Sequence, residues 1–175
     1  MYIGRLQLKG FKSFGGSHDL ILSSGFTAIV GPNGSGKSNL LDALRWSLGD
    51  SSANRLRISR QSDLLFQGSV SKETAREAEV TLHLREDERV CSVKRRVTAP
   101  DGATSLFVDN TRKTLTELDE IKRSWKLEGA RFAFIGQGEV QEVLKQSPSE
   151  RRMHLEVLFG IDIYRKKRME AQDRL

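Results

Sequence analysis

Cysteine, proline and long apolar runs are scarce in this chain. A single cysteine, Cys91, cannot close an internal disulfide, and no second Cys or neighbouring His gives it metal-ligand spacing, so it reads as an ordinary strand residue. The longest apolar runs are about five residues, far below the roughly 20 needed to cross a bilayer. The N-terminus, MYIGRLQLKG, lacks the apolar segment of a signal peptide, which points to the cytoplasm and away from a membrane. His18, His83 and His154 each stand alone, without the partners that acid–base or metal chemistry needs. No DxxG or NKxD sequence occurs, which removes a GTPase reading. No acidic residue follows four apolar ones, as the Mg²⁺-positioning strand of a P-loop ATPase requires. The nearest case is SLFVD at 105–109, where Ser105 breaks the run and Asp109–Asn110 reads as a hairpin turn.

Hydrophobic residues (37%) and charged residues (30%) are present in the proportions of a globular domain, and 175 residues suffice for one core. The net charge of +6 suits a polyanionic partner such as nucleic acid. Its basic clusters are Arg55, Arg57 and Arg60, then Lys94–Arg95–Arg96, Arg151–Arg152, and Arg165 to Arg168. Acidic residues are interspersed, so each cluster is equally a solvated face.

The most informative stretch is GPNGSGKS at 31–38. Gly31, Gly34 and Gly36 allow the backbone to turn its N–H groups inward around phosphate oxygens, Lys37 reaches the β- and γ-phosphates, and Ser38 offers a hydroxyl to Mg²⁺. The apolar FTAIV before it predicts a strand buried on both faces. Leu40, Leu41, Leu44 and Leu48 after it predict a helix whose positive end faces the phosphates.

Strands are further expected at 3–9, 19–22, 89–98 and 105–108, the last two separated by the turn signature TAPDGAT. EVTLHLRED places Val80, Leu82 and Leu84 on one face and Thr81, His83 and Arg85 on the other. SSANRLRISRQSDLLFQGS reads as a loop with one apolar element, Leu64 to Phe66. Thr114 with Glu117 and Ser147 with Glu150 are capping boxes opening two helices, and FAFIGQGEV is a short strand ending in a loop. The tail IDIYRKKRMEAQDRL is charged and helix-prone.

GFKSF at 10–14, GPNGSGKSN, DALRWSLGD, SDLLFQGS at 62–69, IGQGEV at 135–140, and SPSERR followed by Gly160–Ile161 together resemble the N-terminal half of the ATPase head of a bacterial-type SMC (structural maintenance of chromosomes) protein. The resemblance covers nearly the whole chain in the family's order, with HLEVLFGI at 154–161 departing from the small residues usual before the glycine. It implies an α/β P-loop NTPase fold, the N-terminal half of an ABC-type head: a mixed sheet with an antiparallel β extension over 1–160, and the start of an outgoing coiled-coil helix at 161–175. It also implies ATP and Mg²⁺ as cofactors, with the signature motif and catalytic carboxylates on a C-terminal half beyond this stretch. The partners it implies are that half, a second SMC protomer in a homodimer, DNA, and a kleisin subunit near the neck. The function it implies is chromosome condensation and segregation, in the cytoplasm at the nucleoid.

By the same resemblance Gln137 is the glutamine that touches Mg²⁺ and senses the γ-phosphate. Lys12 and Ser13 lie near the phosphates, as do Pro32, Asn33, Ser35 and Asn39 of the loop and its flank. Arg57 is the arginine presented to the nucleotide, and Asp63 to Phe66 lie beside the adenine. The alternatives are a split-head DNA-repair ATPase and a non-catalytic, nucleotide-gated dimerisation module. The ATP-binding subunit of a transporter would need a signature motif and an acidic Walker B that this stretch does not contain. A half-domain with strand edges awaiting partners is expected to self-associate.

Overall fold

The computed structural model describes residues 1–125, 127, 147–150, 152 and 172. The chain divides into two compact units, Met1–Ile121 and Lys122–Leu175. The first is built on a six-stranded sheet of order β2-β1-β3-β4-β5-β6: β1 (Tyr2–Phe11), β2 (Phe14–Ile21), β3 (Glu77–Glu86), β4 (Arg89–Thr98), β5 (Ala103–Val108) and β6 (Thr111–Lys113). Every described pairing is antiparallel, in place of the mixed sheet expected.

The alternation in EVTLHLRE sets β3 at the centre. Val80, Leu82 and Leu84 are buried, and the pairs Leu6↔Leu82, Leu8↔Val80 and Leu82↔Val93 align apolar residues of three strands on one face. Against that face lies α1 (Lys37–Ser47), which touches β1, β3 and β4. Trp46 is fully buried, its ring 5.6 Å from that of Phe11. The inward side of α1 is Leu40, Ala43, Trp46 and Ser47, whereas Leu41 and Leu44 of the expected leucine stripe are only half-buried. The sheet covers a single side of this helix, and those two leucines point away from it.

The opposite face of the sheet is charged. Lys9 pairs with Glu77 at 2.8 Å, Arg96 with Glu79 at 2.8 Å, and Lys94 with Glu79 at 3.8 Å. Two members of the basic triplet are thus engaged in cross-strand ion pairs, each worth about 0–1 kcal/mol at such exposure. Arg95, between them, turns inward and is buried. His83, also off the core face, places Nε2 3.1 Å from Gln7 Oε1. Cys91 is buried, and burial pushes its thiol up to about 11, as befits an unreactive strand residue.

One expectation fails. FTAIV at 26–30 forms no strand: Phe26 is 96% exposed and Val30 88%, with Ile29 also exposed. An apolar run becomes a buried strand only when neighbours pair with both its edges, and no described strand lies beside this one.

Between α1 and β3 the chain forms α2 (Ala53–Leu56) and a 3-10 turn at Gln61–Leu64. Leu64, Leu65 and Phe66, the apolar element of this stretch, are buried, and the segment is tied to the end of β1 by Lys12 N–H to Leu64 O and Phe66 N–H to Gly10 O, both 2.8 Å. Gly10 lets β1 come close to the start of β3. At φ 58° it bulges β1 in its pairing with β2, and a Cβ there would lie 2.4 Å from the Glu77 carbonyl. α3 (Leu115–Ser124) starts at the expected capping box, with the Thr114 amide donating to Glu117 Oε2 at 2.8 Å and the Glu117 amide to Thr114 Oγ1 at 3.2 Å. The second capping box is likewise formed, Ser147 N–H to Glu150 Oε2 at 2.8 Å. The strand expected at FAFI and the tail helix lie outside the described residues.

Candidate functional site

The loop at 31–38 meets α1 at Gly36, the residue that caps the helix, with φ 94° in the left-handed region. A side chain is barred twice there, because a Cβ would lie 2.9 Å from Ser13 Oγ and 3.2 Å from the Phe14 ring. Gly34 is also left-handed, at φ 82°. No side chain caps the helix and no acidic residue occupies its first turn, so the N–H groups of that turn keep no side-chain acceptor and the helix dipole is unopposed. Lys37 Nζ donates to the carbonyls of Gly31 and Pro32, both at 2.7 Å, and the Ser38 residue is exposed at the start of the helix. Pro32, Asn33, Gly34 and Ser35 line the exposed rim, braced by Ser35 N–H to Pro32 O at 3.3 Å. Unopposed backbone donors, an ammonium and a hydroxyl form a donor set suited to a polyphosphate with its cation.

Residues distant in sequence join this loop. Ser13, in the turn between β1 and β2, accepts from Asn39 Nδ2 at 2.9 Å. Lys12 beside it sends its ammonium inward to Asp42 Oδ2 at 2.5 Å and to the carbonyl of Leu56. Arg57, which ends α2 in a left-handed conformation (φ 52°), donates from Nη2 to the same Asp42 oxygen at 2.6 Å and to Asn39 Oδ1 at 3.2 Å. Lys12, Ser13, Asn39 and Arg57 are therefore gathered in one network.

Asp63 is placed differently. Its carboxylate caps the 3-10 turn, accepting from the amides of Ser59 at 2.8 Å and Arg60 at 3.0 Å, and those backbone donors hold it below the ordinary carboxylate range. Asp109 occupies a turn with Asn110, as expected, and accepts from the Ser92 amide at 2.7 Å and hydroxyl at 3.1 Å. Gln137 lies outside the described residues.

Sequence reasoning gave Asp42 no role and read Arg95 only as part of a basic cluster. Asp42 is the only acidic residue of α1, and it lies four residues after Ser38, a spacing that returns it to the same side of the helix. Arg95 donates to the carbonyls of Trp46 at 2.8 Å and Asp50 at 3.0 Å and to Ser51 Oγ at 2.9 Å, closing the far end of α1. Burial pushes its guanidinium down to about 10, still charged at neutral pH.

The RecF/RecN/SMC N terminal domain profile matches residues 2–132. The chain is 39% identical to the chromosome partition protein Smc of Pyrococcus furiosus over 181 residues, covering 99% of this chain and 15% of that protein. It is 36% identical to the Smc of Bacillus subtilis, covering all of this chain and again 15% of its relative. Among solved structures, the Pyrococcus furiosus Smc head domain with an extended coiled coil, bound to the C-terminal domain of ScpA, superposes with TM-score 0.83 at 39% identity, covering 99% of this chain and 45% of that one. A chain from work on ATP-driven dimerization and DNA-stimulated activation of SMC ATPases gives TM-score 0.83 at 38% identity, with 90% of this chain and 99% of that one covered. The chain thus spans about one-seventh of the length of the curated relatives it matches.

Proposed function

This chain belongs to the RecF/RecN/SMC N terminal domain family, and on that premise we propose that it is the ATP-binding half of a split SMC head. The observation that carries the reading is the N-terminus of α1, without a side-chain cap and behind a glycine turn, with Lys37 and Ser38 in its first turn. Lys37 and the amides of 34–38 would hold the phosphates, Ser38 the Mg²⁺, and Gln137 its further coordination. When bound, ATP with Mg²⁺ supplies a cleavable phosphoryl group. Arg57 places a guanidinium beside this cradle, where it favours charge developing on that group. Asp63 acts at one remove, by fixing the turn that carries Leu64 to Phe66.

Asp109 is committed to Ser92, so the carboxylate for hydrolysis is assigned to the C-terminal half of the head. The exposed Phe26, Ile29 and Val30 supply an edge for strands of that half. The full protein is a homodimer whose two heads engage over ATP, acting on DNA in chromosome condensation and segregation at the nucleoid, with a kleisin docked near the neck. The fold is the N-terminal half of an ABC-type head, and residues 161–175 begin its coiled coil. The Pyrococcus furiosus structure, a head bound to the C-terminal domain of ScpA, supports by analogy a kleisin partner for the head.

The deciding measurement is ATP turnover by residues 1–175 alone, by these residues mixed with the C-terminal segment of the same protein, and by the mixture carrying Lys37→Ala. Near-zero turnover alone, a sharp rise on mixing and its loss in the variant support the split head. Full turnover by 1–175 alone would refute it and make Asp109 the first suspect.

A further inference from the structure

Two cations converge on one buried oxygen beside the glycine loop. Lys12 Nζ and Arg57 Nη2 approach Asp42 Oδ2 at 2.5 and 2.6 Å, with the Asp42 side chain 3% exposed, that of Lys12 9% and that of Arg57 52%. Sharing one oxygen holds the two nitrogens within about 5 Å of each other, where like charges in a partly buried setting repel strongly. Only the carboxylate makes the arrangement tenable.

Both cationic residues also carry a left-handed backbone, φ 48° at Lys12 and 52° at Arg57, which is uncommon outside glycine and asparagine. Each closes a turn where glycine is the easy choice, so the side chains oppose the local backbone preference. The network continues from Arg57 through Asn39 to Ser13, and Ser13 Oγ lies 2.9 Å from where a Cβ on Gly36 would sit.

We propose that Asp42 is a positioning residue of the phosphate site: through one carboxylate oxygen it holds Lys12 and Arg57 together at the edge of the glycine loop. The assignment to phosphate chemistry rests on the ATP reading above; the anchoring itself rests on the geometry alone. Asp42 touches no reacting atom in this role. It fixes the direction of two side chains that come from different loops, and its single negative charge leaves the trio at net +1 facing an anion.

The test uses the full-length protein carrying Asp42→Asn, which preserves shape and removes charge. Without nucleotide, acetylation of Lys12 by acetic anhydride and modification of Arg57 by phenylglyoxal, read by mass spectrometry, rise about fivefold or more as the cations lose their anchor. With MgATP, kcat falls about tenfold while the ATP Kd stays within about threefold, and adding Arg57→Ala to Asp42→Asn lowers kcat no further. Unchanged labelling at either residue, or effects of Asp42→Asn and Arg57→Ala that simply multiply, would overturn the proposal. Should Asp42→Asn not fold, Lys12→Met and Arg57→Met decide: each must leave the other cation protected, and increased labelling would mean that the two shield each other without Asp42. Wild-type protein that fails to bind ATP would sink the nucleotide reading, while the labelling still decides the anchor.

Discussion

The guanidinium carbon of Arg95 lies 5.0 Å from the ring centroid of Trp46, and the same side chain donates to the Trp46 carbonyl at 2.8 Å. One residue of β4 therefore grips the last turn of α1 both through its ring face and through its backbone, and a cation at a helix C-terminus is favoured by the dipole as well. Arg95→Met keeps most of the volume but leaves the Trp46 and Asp50 carbonyls without this donor. It is expected to cost about 3 kcal/mol in chemical denaturation, with Arg95→Lys in between because an ammonium reaches fewer of the acceptors. A change below about 0.5 kcal/mol, the size of an ordinary surface substitution, would show that the grip is ornamental.

Gly36→Ala should damage the loop in two ways. The left-handed backbone disfavours any Cβ by about 1–2 kcal/mol, and the added atom meets Ser13 Oγ at 2.9 Å. Lys37→Ala, by contrast, removes only two contacts to loop carbonyls. Thermal unfolding without and with millimolar MgATP separates them: Gly36→Ala lowers the melting temperature in both conditions, while Lys37→Ala matches wild type without nucleotide and loses the ligand-induced rise.

How much of this was legible beforehand follows from where the information resides. Alternation along EVTLHLRE and the two capping boxes are local signals, and they fixed the core of β3 and the starts of two helices. GPNGSGKS is local too. The failure at 26–30 is of another kind, since an apolar run advertises burial without naming what buries it. Arg95 could have been found. With Val93 and Val97 two residues to either side, it falls on the buried face of β4, and the basic neighbours Lys94 and Arg96 concealed that periodicity. The three-residue β6, TRK, has no apolar position to announce it.

Glu117 is held down to about 2, first by the Thr114 amide, then by Lys113 and the Thr114 hydroxyl. Its folded value lies below the ordinary 4.5, so its contribution to the α3 cap is complete above about 4.5 and is lost as pH falls through about 2. Stability measured by urea denaturation should decline over that window. In Glu117→Gln this part of the decline disappears, and an identical pH profile in the two proteins would contradict the assignment.

Phe26 and Val30 present apolar side chains to solvent on a segment whose backbone pairs with no described strand. Residues 1–175 alone should therefore self-associate as concentration rises, and Phe26→Asp with Val30→Lys should suppress this in sedimentation velocity. A monodisperse wild-type chain at high concentration would count against it.

The pairing of β1 with β3 has a kinetic implication. Strands β3 to β6 follow one another with short turns, as do β1 and β2, but joining the two blocks requires the chain to close over the whole excursion 22–76, which carries the glycine loop, α1 and the Asp42 network. Meanders form early because their contacts are local; the junction between them comes late because it must first overcome loop-closure entropy. The glycine loop and α1 are thus expected to be the last part of this unit to become ordered. Closure entropy grows only logarithmically, by about 0.6 kcal/mol for each doubling of length, so residues spliced in at the fully exposed Val70 would hardly slow that step.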